Sequence, residues 1–254
     1  MTPAEMQRLA RRQLTDYDAR SPGGMFANGV GSLTVEDAYR IQIEVARLRR
    51  LRGEAIAGYK IGCVSQSIRR QLGVTHAVFG HMFEGEMRPD GAVLANKDFD
   101  HLGIEGEFAV RLAKDVSDPE ALRDAPERYV SHVFPVIELH NYVFRGGKPS
   151  GVELIANNAV HAGAVVCETQ VGAEDHQALE VSVSINDELQ GAARLDPFAS
   201  LHELAQRLSA FGISLRQGEI VLTGSPLPLY RVNAGDRIKA RCPEVGEVAA
   251  SVGP

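Results

Sequence analysis

Apolar positions in residues 1–53 recur at helical spacing, whereas across 54–254 they mostly alternate or run together as strands do. Residues 4 to 14 read as a short helix, and Ser21-Pro22-Gly23-Gly24 opens a loop that stays rich in glycine through Gly29 and Gly31. Thr34-Val35-Glu36-Asp37 is an N-cap followed by acids in the first turn, the sign that suits a helix dipole. Ile41, Val45 and Leu48 carry that helix onward until Arg47, Arg49, Arg50 and Arg52 close it before Gly53. This basic cluster is expected to be a solvated helix end.

The strand pattern begins at Ala55–Val64, with Lys60 set among apolar neighbours, and a helix from Ser65 to Leu72 stops at Gly73. Apolar runs follow at Ile104–Leu112 and Val133–Ile137, and Val181, Val183 and Ile185 alternate with Ser182, Ser184 and Asn186 up to the turn Asn186-Asp187. Asp196-Pro197 is expected to open a helix carrying Leu201, Leu204 and Leu208 on one side. Gly218–Pro226 reads as a buried strand ending in Thr223-Gly224-Ser225, and 235–240 and 246–252 as two antiparallel strands closing a sheet. Gly146–Gly151 reads as a flexible loop or lid. With no repeat and no low-complexity linker, the pattern describes one mixed strand-and-helix domain over 1–254, with a helical portion at 1–53 and a β-rich core at 54–254.

The polar residues that interrupt the apolar runs are the candidates for chemistry. In a strand, Glu105 and Glu107 share one face while Ile104 and Phe108 pack on the other. Like charges on a half-buried face call for a shared proton, a basic partner or a cation. Arg111, the only basic residue in phase, lies about 13 Å along the strand from Glu107 at the usual rise. Glu138 closes another buried run. Three carboxylates without a thiolate or imidazole cluster describe a hard-ion site, Mg²⁺ or Mn²⁺ rather than Zn²⁺; the alternative is a solvated strand face. Lys60 needs an anionic partner if buried, or snorkels from an edge strand. His140 reads either as a general base or as a hydrogen-bonded structural histidine. The Thr223-Gly224-Ser225 turn offers N–H groups and hydroxyls to an anionic group, and Asn157-Asn158 offers amides to a ligand or satisfies a turn.

Composition narrows the classes. The 254 residues are 44% hydrophobic and 24% charged, enough for a sizeable core. A net charge of -6 leaves no broad basic surface for nucleic acid. The three cysteines form no C-x-x-C, which fits a reducing cytoplasm. Neither an apolar leader at Met1–Arg8 nor a membrane-spanning run is present in the sequence.

Several segments in order carry a family resemblance: Leu33–Tyr39, Gly58-Tyr59-Lys60-Ile61-Gly62, Leu72-Gly73-Val74, Phe79-Gly80, Ile104–Glu107, Pro135–Glu138, Val221–Ser225 and Gly235-Asp236. Together they resemble the 2-keto-4-pentenoate (2-hydroxypentadienoate) hydratase and 4-oxalocrotonate decarboxylase group of the fumarylacetoacetate hydrolase superfamily. The resemblance implies an α+β fold, the superfamily's mixed β-roll with an N-terminal helical portion, assembled as a homo-oligomer that can pair with a decarboxylase or hydratase partner. It implies Mg²⁺ or Mn²⁺ on Glu105, Glu107 and Glu138, Lys60 beside a small 2-oxo acid, and Thr223, Ser225 and Asn158 in the polar lining. Hydration of a 2-hydroxy-2,4-dienoate is the leading expectation. Decarboxylation of 4-oxalocrotonate type, carbon–carbon hydrolysis of an acylpyruvate and a non-catalytic homologue are the alternatives. The chain departs from the group at Val78, Asn141 and Asn157, where acids are common; without an acid at position 78, His140 becomes a candidate replacement base.

Overall fold

The computed structural model describes residues 1–20, 24–26, 28–29, 31–141, 149–172 and 178–254. The expected loops at Ser21-Pro22-Gly23 and Gly146-Gly147-Lys148 lie outside the described residues.

Helices α1 (Pro3–Asp18) and α2 (Val35–Leu51) come first, then β1 (Ile56–Gly62), α3 (Gln66–Leu72), β2 (Val78–Phe83), β3 (Met87–Pro89), β4 (Ala92–Ala95) and β5 (Leu102–Leu112). Next come α4 (Pro119–Asp124), β6 (Val130–Asn141), α5 (Gly151–Ala156), β7 (His161–Val166), β8 (Val171–Gly172), β9 (Leu179–Ile185) and β10 (Glu188–Leu195). The chain ends with α6 (Leu201–Ser209), β11 (Ile220–Leu222), β12 (Tyr230–Arg231), β13 (Arg237–Cys242) and β14 (Gly246–Gly253). No helix among the described residues is long and apolar enough to cross a membrane.

Local chemistry sets the helix ends. Thr34 and Asp37 form a reciprocal capping box on α2, Ser65 caps α3, and Gly73 ends α3 in the left-handed conformation at φ 70. Two boundaries differ from expectation. Asp196 accepts from Phe198 N within a turn, so α6 starts only at Leu201. Gly151, expected in a loop, begins α5, because the Ser150 hydroxyl caps Glu153 N.

Among the described residues the strands form two sheets. One runs β2-β1-β11-β5-β6-β7-β3, with β12 also on β5 and β8 on β6; the other runs β10-β9-β13-β14-β4. The β1–β11, β3–β7 and β4–β14 pairs are parallel and the others antiparallel, so both sheets are mixed. The second sheet packs on the face of β5 opposite the acids. A Cβ on Gly106 would lie 2.3 Å from Val183 Cγ2 and 3.5 Å from Ala240 Cβ, so only glycine lets β9 and β13 come this close. Alternation then sends Glu105 and Glu107 to the other face.

The helical portion docks on β2: Tyr39 stacks on Phe79 at 4.6 Å, and Gln42 Nε2 donates to the Phe79 and Ile155 carbonyls. At the basic end of α2, Arg47, Arg50 and Arg52 are exposed as expected of a solvated helix end, and only Arg49 is a correction. Arg49 is 5% exposed, lies 3.6 Å over the Phe83 ring, and pairs with Glu54 at 2.5 Å and Glu86 at 2.7 Å. Glu86 comes from beyond β2, so no local pattern marks its partner.

Gly106→Ala is expected to cost about 1–3 kcal/mol through overpacking against the stiff, fully buried Val183, read as a lowered midpoint in urea unfolding. An unchanged midpoint would show that the two sheets separate there without cost.

Candidate active site

Register assembles the site. β5 and β6 run antiparallel with Glu105 opposite Glu138 and Gly103 opposite His140, so Glu105, Glu107, Glu138 and His140 project to one face. Lys60 reaches the same face from β1, because Lys60 pairs with Leu222 of β11 and Leu222 with Ala109 of β5. Lys60, expected either paired or snorkelling, is paired: its Nζ lies 3.2 Å from Glu138 Oε1, and both side chains are buried.

Glu138 is the hub. Its Oε1 also contacts His161 Nδ1 at 2.7 Å, while its Oε2 lies 3.4 Å from His140 Nε2. The same His140 nitrogen is 3.3 Å from Glu105 Oε2. One ligand atom from each of Glu105, Glu138 and His140 lies within 4.8 Å of the others. Glu107 is fully buried, its carboxyl against that of Glu138; its Oε2 accepts from Gly224 N at 2.5 Å, and its Oε1 has no donor.

The electrostatics follow from this crowding. Burial, then the charges of Glu138 and Glu105, push the Glu107 carboxyl well above its usual range. Burial would do the same to Glu138, but His140, Lys60 and the bond from His161 outweigh it and hold Glu138 well below. Burial opposes charge on His140 and Lys60, yet the carboxylates prevail. His140 is raised to about 9, chiefly by Glu138 and Glu105, and Lys60 is raised by Glu138, Glu105 and Glu107. Glu107 Oε1, the one oxygen of this pair without a donor, is what a cation or a shared proton would satisfy.

A cleft of about 300 Å³ opens onto Lys60, Glu105 and His140, with Gly224 and Ser225 at its edge. The other expected lining residues are spent on backbone. Thr223 is buried and donates its hydroxyl to the Phe108 carbonyl at 3.1 Å, tying the turn after β11 to β5. Ser225 borders the cleft, but its hydroxyl closes its own turn, accepting from Leu227 N at 3.0 Å and lying 3.0 Å from the Gly106 carbonyl. Asn158 accepts from His81 N at 2.7 Å and donates to His81 O at 2.8 Å, pairing with β2 as a strand would. The turn does hold an anion, the protein's own Glu107.

His161 escaped the sequence reading. It opens the buried run of β7 much as Glu138 sits in that of β6, and the same cue, a polar residue adjoining apolar neighbours, would have found it. Of the three positions that depart from the group, Val78 lines the cleft, Asn141 accepts from Asp100 N at 3.1 Å, and Asn157 accepts from Gln13 Nε2.

Known proteins share this architecture. A 2-hydroxyhexa-2,4-dienoate hydratase of Comamonas testosteroni is 32% identical over 214 residues, 81% of this chain and 81% of its own. A 4-oxalocrotonate decarboxylase of Pseudomonas putida is 29% identical over 230 residues, 88% of this chain and 87% of its own. The solved structure of 4-oxalocrotonate decarboxylase from Pseudomonas putida G7, complexed with magnesium and adipate, matches with TM-score 0.92 at 24% identity, over 99% of this chain and 98% of that one. The mixed sheets and N-terminal helices expected from the resemblance are thus those of a known fold. The family model described as fumarylacetoacetate (FAA) hydrolase C-terminal matches residues 72–253, and the chain belongs to that family.

Proposed function

We propose that the protein is a divalent-metal-dependent lyase that hydrates a 2-hydroxy-2,4-dienoate or its 2-oxo-4-enoate tautomer, with Mg²⁺ or Mn²⁺ held by Glu105, Glu107 and Glu138. The observation that carries this reading is the convergence of the three carboxylates on one face of β5 and β6, with Glu105 at the floor of the cleft. The donor set fits the ion: oxygen ligands suit a hard cation, and Glu107 Oε1 is buried without a partner. The named activities of the relatives support the same reaction class.

A hard divalent ion in this place supplies Lewis acidity toward the oxo and carboxylate oxygens of a 2-oxo acid. The chain's own residues do the remainder. Lys60 keeps its proton among the carboxylates and pairs with the substrate's carboxylate at the cleft floor. His140, its ring buried and Nε2 set between Glu105 and Glu138, holds or moves a proton at the neighbouring carbon. His161 holds Glu138 Oε1, so that Oε2 faces His140.

One observation favours a second reading, decarboxylation of a 2-oxo acid. Val78 puts an apolar side chain in the cleft wall where the group commonly has an acid to handle water. Loss of carbon dioxide needs no activated water, whereas hydration would call on His140 in place of that acid.

Treatment with EDTA is expected to abolish turnover and Mg²⁺ or Mn²⁺ to restore it; full activity in the metal-free protein would refute the proposal. Incubating the metal-loaded protein with 2-hydroxypenta-2,4-dienoate and with 4-oxalocrotonate separates the reactions by product. Added water without fragmentation identifies a hydratase, carbon dioxide a decarboxylase, and two organic acids a hydrolase. His161→Ala, which leaves Glu138 Oε1 with Lys60 but without its imidazole partner, is expected to weaken divalent-ion binding roughly 10–100-fold by titration calorimetry. Binding as tight as in the unaltered protein would remove His161 from that role.

A further inference from the structure

His140 sits in the acidic cluster without the bonds of a buried ion pair. The residue is 3% exposed, and neither Nδ1 nor Nε2 has a hydrogen-bond partner among the described residues. Nε2 nevertheless lies 3.3 Å from Glu105 Oε2 and 3.4 Å from Glu138 Oε2. A histidine committed to one carboxylate closes to about 2.7–2.9 Å, as His161 does on Glu138 at 2.7 Å. His140 instead stands off from two carboxylates at once.

Local structure makes that arrangement. Alternation on β6 puts Glu138 and His140 on one face, and β5 brings Glu105 opposite Glu138. On the other side of β6, β7 carries Ala162 as an extra residue between Gly163, which pairs with Leu139, and His161, which pairs with His140. That bulge turns His161 to the face of Glu138, whose Oε1 it shares with Lys60. Glu138 Oε2 is thereby left toward His140.

The separations suit neighbouring ligands on one ion. Two bonds of about 2.1 Å set their donor atoms about 3.0 Å apart at a right angle and about 3.4 Å apart at a tetrahedral angle. We propose that His140 Nε2 is itself a ligand of the divalent ion, beside Glu105 and Glu138, and that this imidazole makes the site prefer Mn²⁺ to Mg²⁺. The inference rests on the divalent-ion reading above and adds a nitrogen to its oxygen donors. Imidazole suits first-row transition ions, whereas Mg²⁺ keeps to oxygen. The ring binds as neutral imidazole, so an arriving ion sends the Nε2 proton to solvent. Nδ1 keeps its own proton, the one that the lyase reading asks this ring to hold or move.

Electron spin-echo spectroscopy of the Mn²⁺-loaded protein tests the bond itself. The expected result is a coupling from a directly bound nitrogen that changes when the protein is made with ¹⁵N-labelled histidine and disappears in His140→Gln. Titration calorimetry is expected to show the preference for Mn²⁺ over Mg²⁺ shrinking roughly tenfold in His140→Gln, chiefly through weaker Mn²⁺ binding. If that variant does not fold, the labelled spectrum of the unaltered protein decides alone. Mn²⁺ bound without a nitrogen coupling overturns the inference and leaves the lyase reading standing, as does a coupling that His140→Gln retains and His161→Gln loses. A preference for Mn²⁺ that is absent, or that His140→Gln leaves unchanged, also overturns it. If the unaltered protein binds neither ion, the lyase reading falls as well.

Discussion

Carboxylates cannot be buried side by side without compensation, and the interior of this protein is arranged around that constraint. Glu107 and Glu138 are almost fully enclosed, and Glu105 stands beside them at the cleft. The protein supplies part of the compensation: Lys60 from β1, His140 from β6, His161 from β7 and the Gly224 N–H after β11 each reach one of these acids. No single segment could provide all four. The parallel pairing of β1 with β11 next to β5 is what brings the first and last of these groups to the same face. The compensation is incomplete at Glu107 Oε1, and that remaining imbalance in a buried ion network is what supports the proposal of a cation there.

The two faces of β5 answer to different demands. On one, Gly106 removes a side chain so that Val183 and Ala240 can pack directly on the strand. On the other, Glu105 and Glu107 are kept clear of that packing and open toward the cleft or toward Glu138. A rigid, close-packed sheet behind the acids limits how far they can move apart, and holds charged groups in positions they would not choose in water. The helical portion contributes from the far side of β2, where Gln42 ties the Phe79 carbonyl to α5. Val78 and Leu154 of the cleft wall are thereby held next to each other's supports.

Much of this was legible in the residues. The two-residue spacing of Glu105 and Glu107 placed them on one face, the apolar run before Glu138 marked it as buried, and Lys60 among apolar neighbours called for an anion or an edge position; in the structure it is paired and all three meet. Helix ends were legible for the same reason: the Thr34–Asp37 box and the Ser65–Gly73 pair act within a few residues of themselves. Arg49 was read as solvated because the ring of Phe83 and the carboxylate of Glu86 that enclose it lie more than thirty residues away. Thr223 and Asn158 carry groups suited to a ligand, but backbone of Phe108 and His81 reached them first.

The amino-acid sequence by itself therefore determined where most strands and helices lie, which residues share a strand face, and which charged groups had to find partners, since these depend on periodicity and short-range hydrogen bonding. Only the tertiary structure decided who those partners are. Register between strands remote in the chain set Glu138 against Lys60 and His161, and brought the Gly224 N–H to Glu107. A polar side chain's need is written in its own neighbourhood, whereas the group that meets it is chosen by the packing of the whole sheet.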